Sequence, residues 1–437
     1  MRAAAILLHY QRFVNLNLPL LLHRALPGVA TIIALLFLSS GCVLKSGVRQ
    51  EVTPLYSAQS PEFHQSIGSL LGPSLLAGNT VTTLVNGDQI FPSMLAAIRS
   101  ARKTINFETY VYWKGDVASQ FTEALADRAR AGVKVHAILD AQGTAKMGQE
   151  NLNRLKEAGV EIAKYHSLIW IDPRRYNHRT HRKLLIIDGK TAFVGGVGIA
   201  DEWAGNADSP KHWRDNHYKV TGPVVAQLQS TFMSNWLATR GVILHGDDYL
   251  PPLSPTGSYQ AQAIPSSSKN ENLNLMYLLS IASAQKSLRI ENAYFLPDDL
   301  IRKELISAAK RGVKVEIIVP GKHIDQKLVR AASKRHWPAL IEAGIKIYEY
   351  QPTMVHVKLM IVDDAFVSVG SGNFDNRSVR LNDEGNLDVL NQEFAGRQTE
   401  LFERDKRQSR EVTLDPTGNL IFLHPIQQAA GLAAPQL

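Results

Sequence analysis

Apolar and polar residues alternate along this chain in a way that predicts its secondary structure. After about Asn79, short apolar stretches of strand length are separated by longer amphipathic stretches with helical spacing. The order is strand, helix, strand, helix, strand and then a hairpin, and it occurs twice. Strands that alternate with helices usually form a mostly parallel sheet with helices on both faces. We therefore predict an α/β fold.

The second half of the pattern also repeats the first in its residues. SARKTINFETYVYWKGD at 100–116 matches SAQKSLRIENAYFLPDD at 283–299, and RAGVKVHAIL at 130–139 matches KRGVKVEIIV at 310–319. Two copies in one chain favour a pseudo-twofold arrangement, in which two mixed, mostly parallel sheets flanked by helices share one active site. The proline- and glycine-rich segment between the copies indicates a linker. We predict a spacer at 42–78, a first repeat at 79–245, a linker at 246–258, a second repeat at 259–410 and a tail at 411–437.

The first 41 residues differ from the rest of the chain. They carry Arg2, Arg12 and Arg24 but no acid, and an apolar run ends shortly before the sequence SSGC, whose last residue is Cys42. A basic region, an apolar run too short to span a bilayer comfortably, and small residues before a cysteine resemble a bacterial lipoprotein signal. We expect residues 1–41 to be a lipoprotein-type signal peptide, with Cys42 lipidated, or an N-terminal anchor. Either would place the protein in the bacterial cell envelope, on the extracytoplasmic side of a membrane.

Charge and cysteine content narrow the choice of partners. The formal net charge is +8, and removal of residues 1–41 would leave 8 − 3 = +5. A positive excess favours anionic partners, either phospholipid or nucleic acid. Cys42 is the single cysteine, which excludes an intramolecular disulfide and a thiolate zinc site. His178 and His181 have a spacing that suits a metal, but no cysteine or well-spaced carboxylate completes a ligand set, so we predict no metal and no cofactor.

A motif with catalytic side chains ends each repeat. HRKLLIID begins at His181, and HVKLMIVD begins at His356. Because side chains alternate along a strand, His181 and Lys183 share one face, as do His356 and Lys358. An imidazole and an ammonium group side by side attract an anion. One such motif arises by chance in roughly one chain in thirty, but two in register within a repeat indicate a function.

Two histidines that face each other across a phosphate suit a two-step displacement. One neutral imidazole attacks phosphorus while the other gives its proton to the leaving oxygen, and water or an alcohol then reverses the step. The lysines would neutralise the non-bridging oxygens without a metal. Asp215 in WRDNH and Glu384 in NDEGN lie at similar distances after the motifs and could each accept a hydrogen bond from a ring N–H. The second motif ends in GSGN, where Ser371 and Asn373 offer a hydroxyl and an amide to phosphate oxygens.

These motifs, together with VNGDQIFPSMLAAI, HWRDNHYKVTGPVVAQLQSTF and RSVRLNDEGNLDVL, resemble the phospholipase D superfamily over residues 84–405. Within that superfamily, ETYVYW, WRDNHYKVTGP and AYFLPDD are most similar to bacterial cardiolipin synthases of the phospholipase D type. The resemblance implies a phosphatidyl transferase that joins two phosphatidylglycerol molecules into cardiolipin through a phosphohistidine and releases glycerol. It also implies that His181 is the nucleophile, that His356 is the acid and then the base, and that Glu384 and Asp215 orient them from across the pseudo-dyad.

The remaining motif residues receive roles from the same resemblance. The phosphate would be held by Lys183, Lys358, Asn373 and, nearby, Ser371. Asp188 and Asp363 belong to the motif and are expected to stabilise the hairpins rather than to perform chemistry. The first motif ends at Gly198, where members of the superfamily commonly have asparagine.

Other functions are compatible with the same residues. A phospholipase D would hydrolyse phospholipid to phosphatidic acid, and an extracytoplasmic nuclease would cleave the phosphodiesters of DNA with the same histidines. An inactive membrane-bound scaffold is the alternative outside enzymology. We expect an anionic phospholipid membrane and a phosphatidylglycerol-type substrate as partners, no nucleic acid, and a monomer that contains an internal pseudo-dimer.

Overall fold

The computed structural model describes residues 52–53, 56–165 and 177–415. The predicted signal peptide or anchor, Cys42 and most of the predicted C-terminal tail lie outside the described residues. Within these ranges, no helix is both long enough and apolar enough to cross a membrane.

Strands and helices alternate along the first half of the described chain. In chain order they are α1 (Pro61–Leu71), β1 (Leu76–Val85), α2 (Asn86–Ser100), β2 (Thr104–Thr109), α3 (Asp116–Arg130), β3 (Lys134–Asp140), α4 (Gln149–Glu157), β4 (Glu161–Tyr165), β5 (Leu184–Ile187), β6 (Thr191–Gly195), β7 (Asn216–Thr221) and α5 (Val225–Arg240). A short 3-10 turn at Asp201–Trp203 lies between β6 and β7.

The second half has the same order of elements, with a few short additions. Its elements are β8 (Tyr259–Ser266), α6 (Asn272–Ser283), β9 (Ser287–Asn292), β10 (Phe295–Leu296), α7 (Asp299–Lys310), β11 (Lys314–Pro320), α8 (Lys327–Lys334), α9 (Trp337–Glu342), β12 (Lys346–Tyr350), β13 (Lys358–Val362), β14 (Phe366–Gly370), β15 (Phe374–Asp375), α10 (Asn376–Arg380), β16 (Glu384–Leu390), α11 (Gln392–Arg407) and β17 (Ser409–Glu411).

Strands of both halves join in one 15-stranded sheet. From the seam between β1 and β8, the first half runs β1-β7-β6-β5-β2-β3-β4 and the second half runs β8-β16-β14-β13-β9-β11-β12-β17. The two halves therefore share one topology, and the predicted α/β fold with two related repeats is confirmed. The expected predominance of parallel pairing is not observed. Within this sheet, only the neighbouring strands of β2-β3-β4 and of β9-β11-β12 run parallel. The motif hairpins and the seam add antiparallel pairs, which outnumber the parallel ones.

The strands that carry the motifs are buried on both faces. In β5, Leu184 and Ile186 pack into a central cluster that also contains residues of α5 and α11 and strand residues of both halves. The alternate residues Leu185 and Ile187 pack on the other face against α2 and α3. Burial on both faces explains why the sequence after each His-Lys pair is continuously apolar rather than alternating.

Each motif aspartate closes its hairpin. Asp188 adopts a left-handed backbone conformation with φ of 52°, and Asp363 does the same with φ of 51°. The Asp188 carboxylate accepts hydrogen bonds from the backbone N–H groups of residues 102–104, which lead into β2. Asp363 accepts the equivalent bonds from residues 285–287, which lead into β9. Each aspartate thus ties the hairpin turn to the start of the neighbouring strand.

Candidate active site

Reciprocal backbone contacts bring the two motifs together at the pseudo-dyad. The N–H of His181 donates to the carbonyl oxygen of Asp383 at 2.8 Å, and the N–H of His356 donates to that of Arg214 at 2.7 Å. In each case the acceptor belongs to the opposite half and immediately precedes a predicted orienting acid. Each histidine is therefore placed against a carboxylate from the other repeat.

Glu384 contacts His181. The Nδ1 atom of His181 lies 2.9 Å and 3.0 Å from the two carboxylate oxygens of Glu384. Two hydroxyl groups hold the same carboxylate: Ser371 donates to Oε2 at 2.5 Å and Ser378 donates to Oε1 at 2.7 Å. Burial alone would raise the pKa of Glu384, but His181, Lys183 and the Ser371 hydroxyl outweigh it and lower that pKa. Glu384 is therefore ionised at neutral pH.

Asp215 contacts His356 in the equivalent way but has different donors. The Nδ1–H group of His356 donates to Oδ2 of Asp215 at 2.8 Å. The indole N–H of Trp203 donates to the same oxygen at 2.9 Å, and the backbone N–H of Asn216 donates to Oδ1 at 2.8 Å. Here burial outweighs Lys358 and these donors, and the pKa of Asp215 rises to about 6. The two orienting carboxylates thus differ in pKa: near pH 6 Glu384 is ionised while Asp215 is partly protonated.

The imidazoles are buried and uncharged in this structure. His181 is 8% exposed and His356 is 4% exposed. Burial lowers the pKa of His181 to about 4, against the opposing effect of Glu384. Burial together with Lys358 and Lys183 lowers the pKa of His356 well below its usual value. Both rings can therefore act as neutral bases or nucleophiles.

The two motif lysines stand beside the histidines. The ammonium groups of Lys183 and Lys358 donate to the carbonyl oxygens of His181 and His356, each at 2.7 Å. The Lys358 Nζ atom also lies 3.1 Å from both ring nitrogens of His356. Burial lowers the pKa of Lys183 to about 7 and that of Lys358 to about 8. Such poorly solvated cations favour the entry of an anion.

The other predicted site residues divide into those near this cluster and those away from it. Asn373 is 2% exposed, and its amide oxygen has no hydrogen-bond partner among the described residues. Ser371 is at the cluster, but its hydroxyl donates to Glu384. Asp188 and Asp363 lie at the opposite ends of β5 and β13 from the lysines, where they bind backbone N–H groups. The structure therefore brings together the histidines, lysines, orienting acids and Ser371, buries Asn373 two residues after Ser371, and leaves the two motif aspartates outside.

Trp203 and Ser378 are contacts of the site that the motifs did not reveal. The two residues occupy equivalent positions of the repeats, because they are separated by 378 − 203 = 175 residues, as the histidines are by 356 − 181 = 175. Each donates to the carboxylate of its own half. Their equivalent positions alone do not predict that both donate to an orienting carboxylate, since a tryptophan and a serine have little in common except the ability to donate one hydrogen bond.

No group of three or more His, Cys, Asp or Glu side chains is placed to hold a metal ion in the part of the chain that the structure describes. The arrangement offers instead two neutral imidazoles, each tied at Nδ1 to a carboxylate, with two ammonium groups alongside. Such a set can attack and release a phosphorus centre by covalent catalysis.

The duplicated α/β fold and the paired His-Lys motifs define a protein of the phospholipase D superfamily. The family model described as "Cardiolipin synthase, PLD-like domain" matches residues 94–236 and 277–406. The probable cardiolipin synthase YwiE of Bacillus subtilis is 34% identical over 84% of this chain and 73% of its own length. Cardiolipin synthase A of Pseudomonas putida strain W619 is 33% identical over 81% of this chain and 73% of its own length.

The chain belongs to the phospholipase D-like cardiolipin synthase family, and the predicted resemblance is confirmed. It is an enzyme of the phospholipase D phosphatidyltransferase type. Among solved structures, phosphatidylserine synthase of Haemophilus influenzae Rd KW20 matches 86% of this chain and 100% of its own chain, with a TM-score of 0.66. Its sequence identity is 16%, so this likeness concerns the fold alone.

Proposed function

We propose that this enzyme makes cardiolipin from two phosphatidylglycerol molecules through a phosphohistidine at His181 and releases glycerol. The observation that carries the proposal is the crosswise pairing of each histidine with a carboxylate of the opposite half. This pairing makes one site from two repeats and presents two imidazoles to one phosphate. The names of the family and of its relatives support cardiolipin as the product.

The first step uses His181 as the nucleophile. Because Nδ1–H of His181 donates to ionised Glu384, the lone pair of Nε2 is available to attack phosphorus. A P–N bond forms while the P–O bond to the glycerol headgroup breaks. Lys183 and Lys358 offset the charge on the non-bridging oxygens.

His356 carries the proton in both steps. Burial together with Lys358 and Lys183 lowers its pKa in the empty site, and a bound phosphodiester anion offsets the two cations and raises it. Protonated His356 then gives its proton to the departing glycerol oxygen. In the second step it removes the proton from a hydroxyl of the second phosphatidylglycerol, whose oxygen attacks phosphorus and releases His181. The enzyme returns to its starting state with one cardiolipin and one glycerol formed.

The membrane location belongs to the same proposal. A lipidated Cys42 or an N-terminal anchor would hold the chain at an extracytoplasmic membrane surface. The net charge, +8 for the full chain or +5 without residues 1–41, suits an anionic lipid surface. Metabolic labelling with a fatty acid tests acylation: wild-type chain should take up label, and Cys42→Ala should not.

The reaction is tested with the full chain and phosphatidylglycerol vesicles in EDTA. Cardiolipin and glycerol in equal amounts are the expected products. Phosphatidic acid without cardiolipin would show hydrolysis, and nicked plasmid DNA with untouched lipid would exclude phosphatidyl chemistry. His181→Ala and His356→Ala should each abolish turnover, because each removes a group that the two steps require.

A trapping experiment separates the two histidines. Acid-sensitive phosphatidyl adduct should appear on the peptide that contains His181 and not on the one that contains His356. An adduct on His356 would reverse the two roles. Asp127→Asn, at an exposed position on α3, serves as a control variant that should retain full activity.

A further inference from the structure

The two histidines have different aromatic surroundings. Three rings contact His356: Trp203 at 5.2 Å, Trp213 at 5.5 Å and Tyr294 at 6.1 Å between ring centres. Among the described residues, His181 has one such contact, with Tyr110 at 5.2 Å. Among the described residues, the side of the site next to His356 therefore has three aromatic rings and the side next to His181 has one.

Part of the aromatic surface next to His356 faces solvent. Trp203 is buried, but Trp213 and Tyr294 are only partly buried. Both pack against a small apolar cluster of Ala293, Ile324 and Met354, which lies apart from the main core. The cluster fixes two aromatic faces beside the proton-carrying histidine.

One carboxylate completes this surface. The Tyr294 hydroxyl donates to both carboxylate oxygens of Asp325, each at 2.9 Å, and Asp325 is exposed. Its charge also acts on Lys358, where it opposes the lowering of the pKa by burial. Asp325 therefore acts on Lys358, one of the two cations that would hold the phosphate, yet it has capacity to accept further hydrogen bonds.

We infer that Trp213, Tyr294 and Asp325 form the binding site for a polyol headgroup, the glycerol of phosphatidylglycerol. This inference rests on the proposed function, because the group that leaves must lie next to the proton donor His356. The C–H groups of glycerol would pack on the aromatic faces, and its free hydroxyls would donate to Asp325. The three residues select the headgroup, while the histidines perform the chemistry.

A cationic headgroup is the competing occupant, because aromatic rings and a carboxylate can also hold an ammonium group. The cation position is already taken here: Lys358 Nζ lies over the Tyr294 ring at 5.9 Å from its centre. A second cation beside Lys358 would be repelled. An uncharged polyol meets the same aromatic and carboxylate groups without this repulsion.

Vesicles of mixed headgroup composition test the inference with the full chain. Phosphatidylglycerol and phosphatidylpropanol are supplied in equal amounts, and the initial rates at which glycerol and propanol are released are measured as a ratio, because each released alcohol counts one phosphatidyl donor. This ratio reports recognition of the additional hydroxyls whether the product is cardiolipin or phosphatidic acid. Wild-type enzyme should favour phosphatidylglycerol, and Asp325→Asn should lower the ratio about tenfold because a charged acceptor is lost. Tyr294→Phe, which frees Asp325 from its donor, should lower it less.

The outcomes separate the inference from the proposed function. An unchanged ratio in Asp325→Asn overturns the headgroup site even if wild-type enzyme makes cardiolipin. A second set of vesicles pairs phosphatidylglycerol with phosphatidylcholine. Preferential release of choline by wild-type enzyme, lost in Asp325→Asn, overturns the polyol in favour of a cation. If wild-type enzyme consumes none of these lipids, both the inference and the proposed function are wrong. Asp127→Asn removes an exposed carboxylate elsewhere and should leave the ratio unchanged.

Discussion

Asp215 and Glu384 occupy equivalent positions, but their donors differ in number and chemistry. Burial raises the pKa of both carboxylates. At Glu384, His181, Lys183 and a serine hydroxyl reverse this effect, whereas at Asp215 the opposing groups do not. The carboxylate that contacts His181 therefore has a fixed negative charge, and the carboxylate that contacts His356 titrates at about pH 6. The two imidazoles are inequivalent because their partner carboxylates are held by different groups.

These pKa values predict a narrow pH profile for kcat/KM. As pH rises through about 6, Asp215 loses its proton and can accept from His356, so activity rises. As pH rises through about 7, Lys183 loses its charge and phosphate binding weakens, so activity falls. In the pH profile of kcat, the fall in activity should occur at higher pH, because a bound phosphate anion stabilises the ammonium group of Lys183 and raises its pKa.

Lys183→Arg tests the assignment of the alkaline limb. In this variant, regardless of its absolute rate, the fall in kcat/KM near pH 7 should disappear. A fall near pH 8 should remain, because Lys358 still loses its charge there. Lys269→Arg, at an exposed position, should leave the profile unchanged. A limb near 7 that persists in Lys183→Arg would assign it to another group.

The titrating side chains of the site were predictable from the sequence, but the groups that donate hydrogen bonds to its carboxylates were not. His181 and His356 were evident because a repeated motif places each of them just before a largely apolar strand. The donor that Asp215 receives from Trp203 depends on how a 3-10 turn folds back after β6, and no local pattern encodes that. Ser371 shows the same limit: a hydroxyl expected to face phosphate donates to Glu384 instead.

At the scale of elements, the motif aspartates act as ties between strands. Asp188 connects the β5–β6 turn to the residues that enter β2, and Asp363 connects the β13–β14 turn to those that enter β9. Both bonds join segments that are far apart in sequence. The His-Lys strand is thereby held at its far end while its near end carries the chemistry.

Asp188→Ala should destabilise the fold by about 1–3 kcal/mol, because three backbone N–H groups lose their acceptor. Asp188→Asn should cost less, since asparagine retains an acceptor and tolerates the left-handed conformation. The free energy of unfolding in urea measures both, with Asp127→Ala as a surface control expected to lie within about 0.5 kcal/mol of wild type. If folded Asp188→Asn loses its turnover while retaining its stability, Asp188 takes part in the chemistry.

The order of strands within a repeat was only partly accessible from sequence. Parallel pairing of β2 with β3 is expected from an intervening helix, as the repeat pattern indicated. The seam between β1 and β8 pairs Leu76 with Ala261 and Asn79 with Tyr259, with a shift in register between them. Such a pairing between distant segments leaves no periodic signal, so the union of both halves in one sheet was not predictable from the pattern.

At the scale of the whole molecule, buried polar contacts bind the halves together. Arg214, which precedes β7, pairs with Asp405 of α11 at 2.7 Å, and each side chain is 1% exposed. Arg214 also donates to the carbonyl oxygen of Asp215. On the other side of the dyad, Tyr165 donates to Asp383 at 2.6 Å. The contacts that join the halves are thus the ones that position the orienting acids.

Asp405→Ala should destabilise the protein by about 3–5 kcal/mol, because it leaves the buried Arg214 charge without a partner. Glu393→Ala, on the same helix, removes an exposed pair with Arg397 and should change the unfolding free energy by about 0.5 kcal/mol or less. Chemical denaturation compares the two variants. Similar losses in both would contradict a special contribution from the buried pair.

Gly198 illustrates a consequence of having both repeats in one polypeptide. A Cβ atom there would lie 2.6 Å from Cβ of Val111, so the first motif has no space for the amide that Asn373 supplies in the second. In a dimer of identical chains, any such substitution would appear on both sides of the axis. Within a single chain, the two sides can diverge independently, as they have here. An asymmetric site can consequently hold a phosphodiester with two different arms in one orientation, so that the same arm always faces the same histidine.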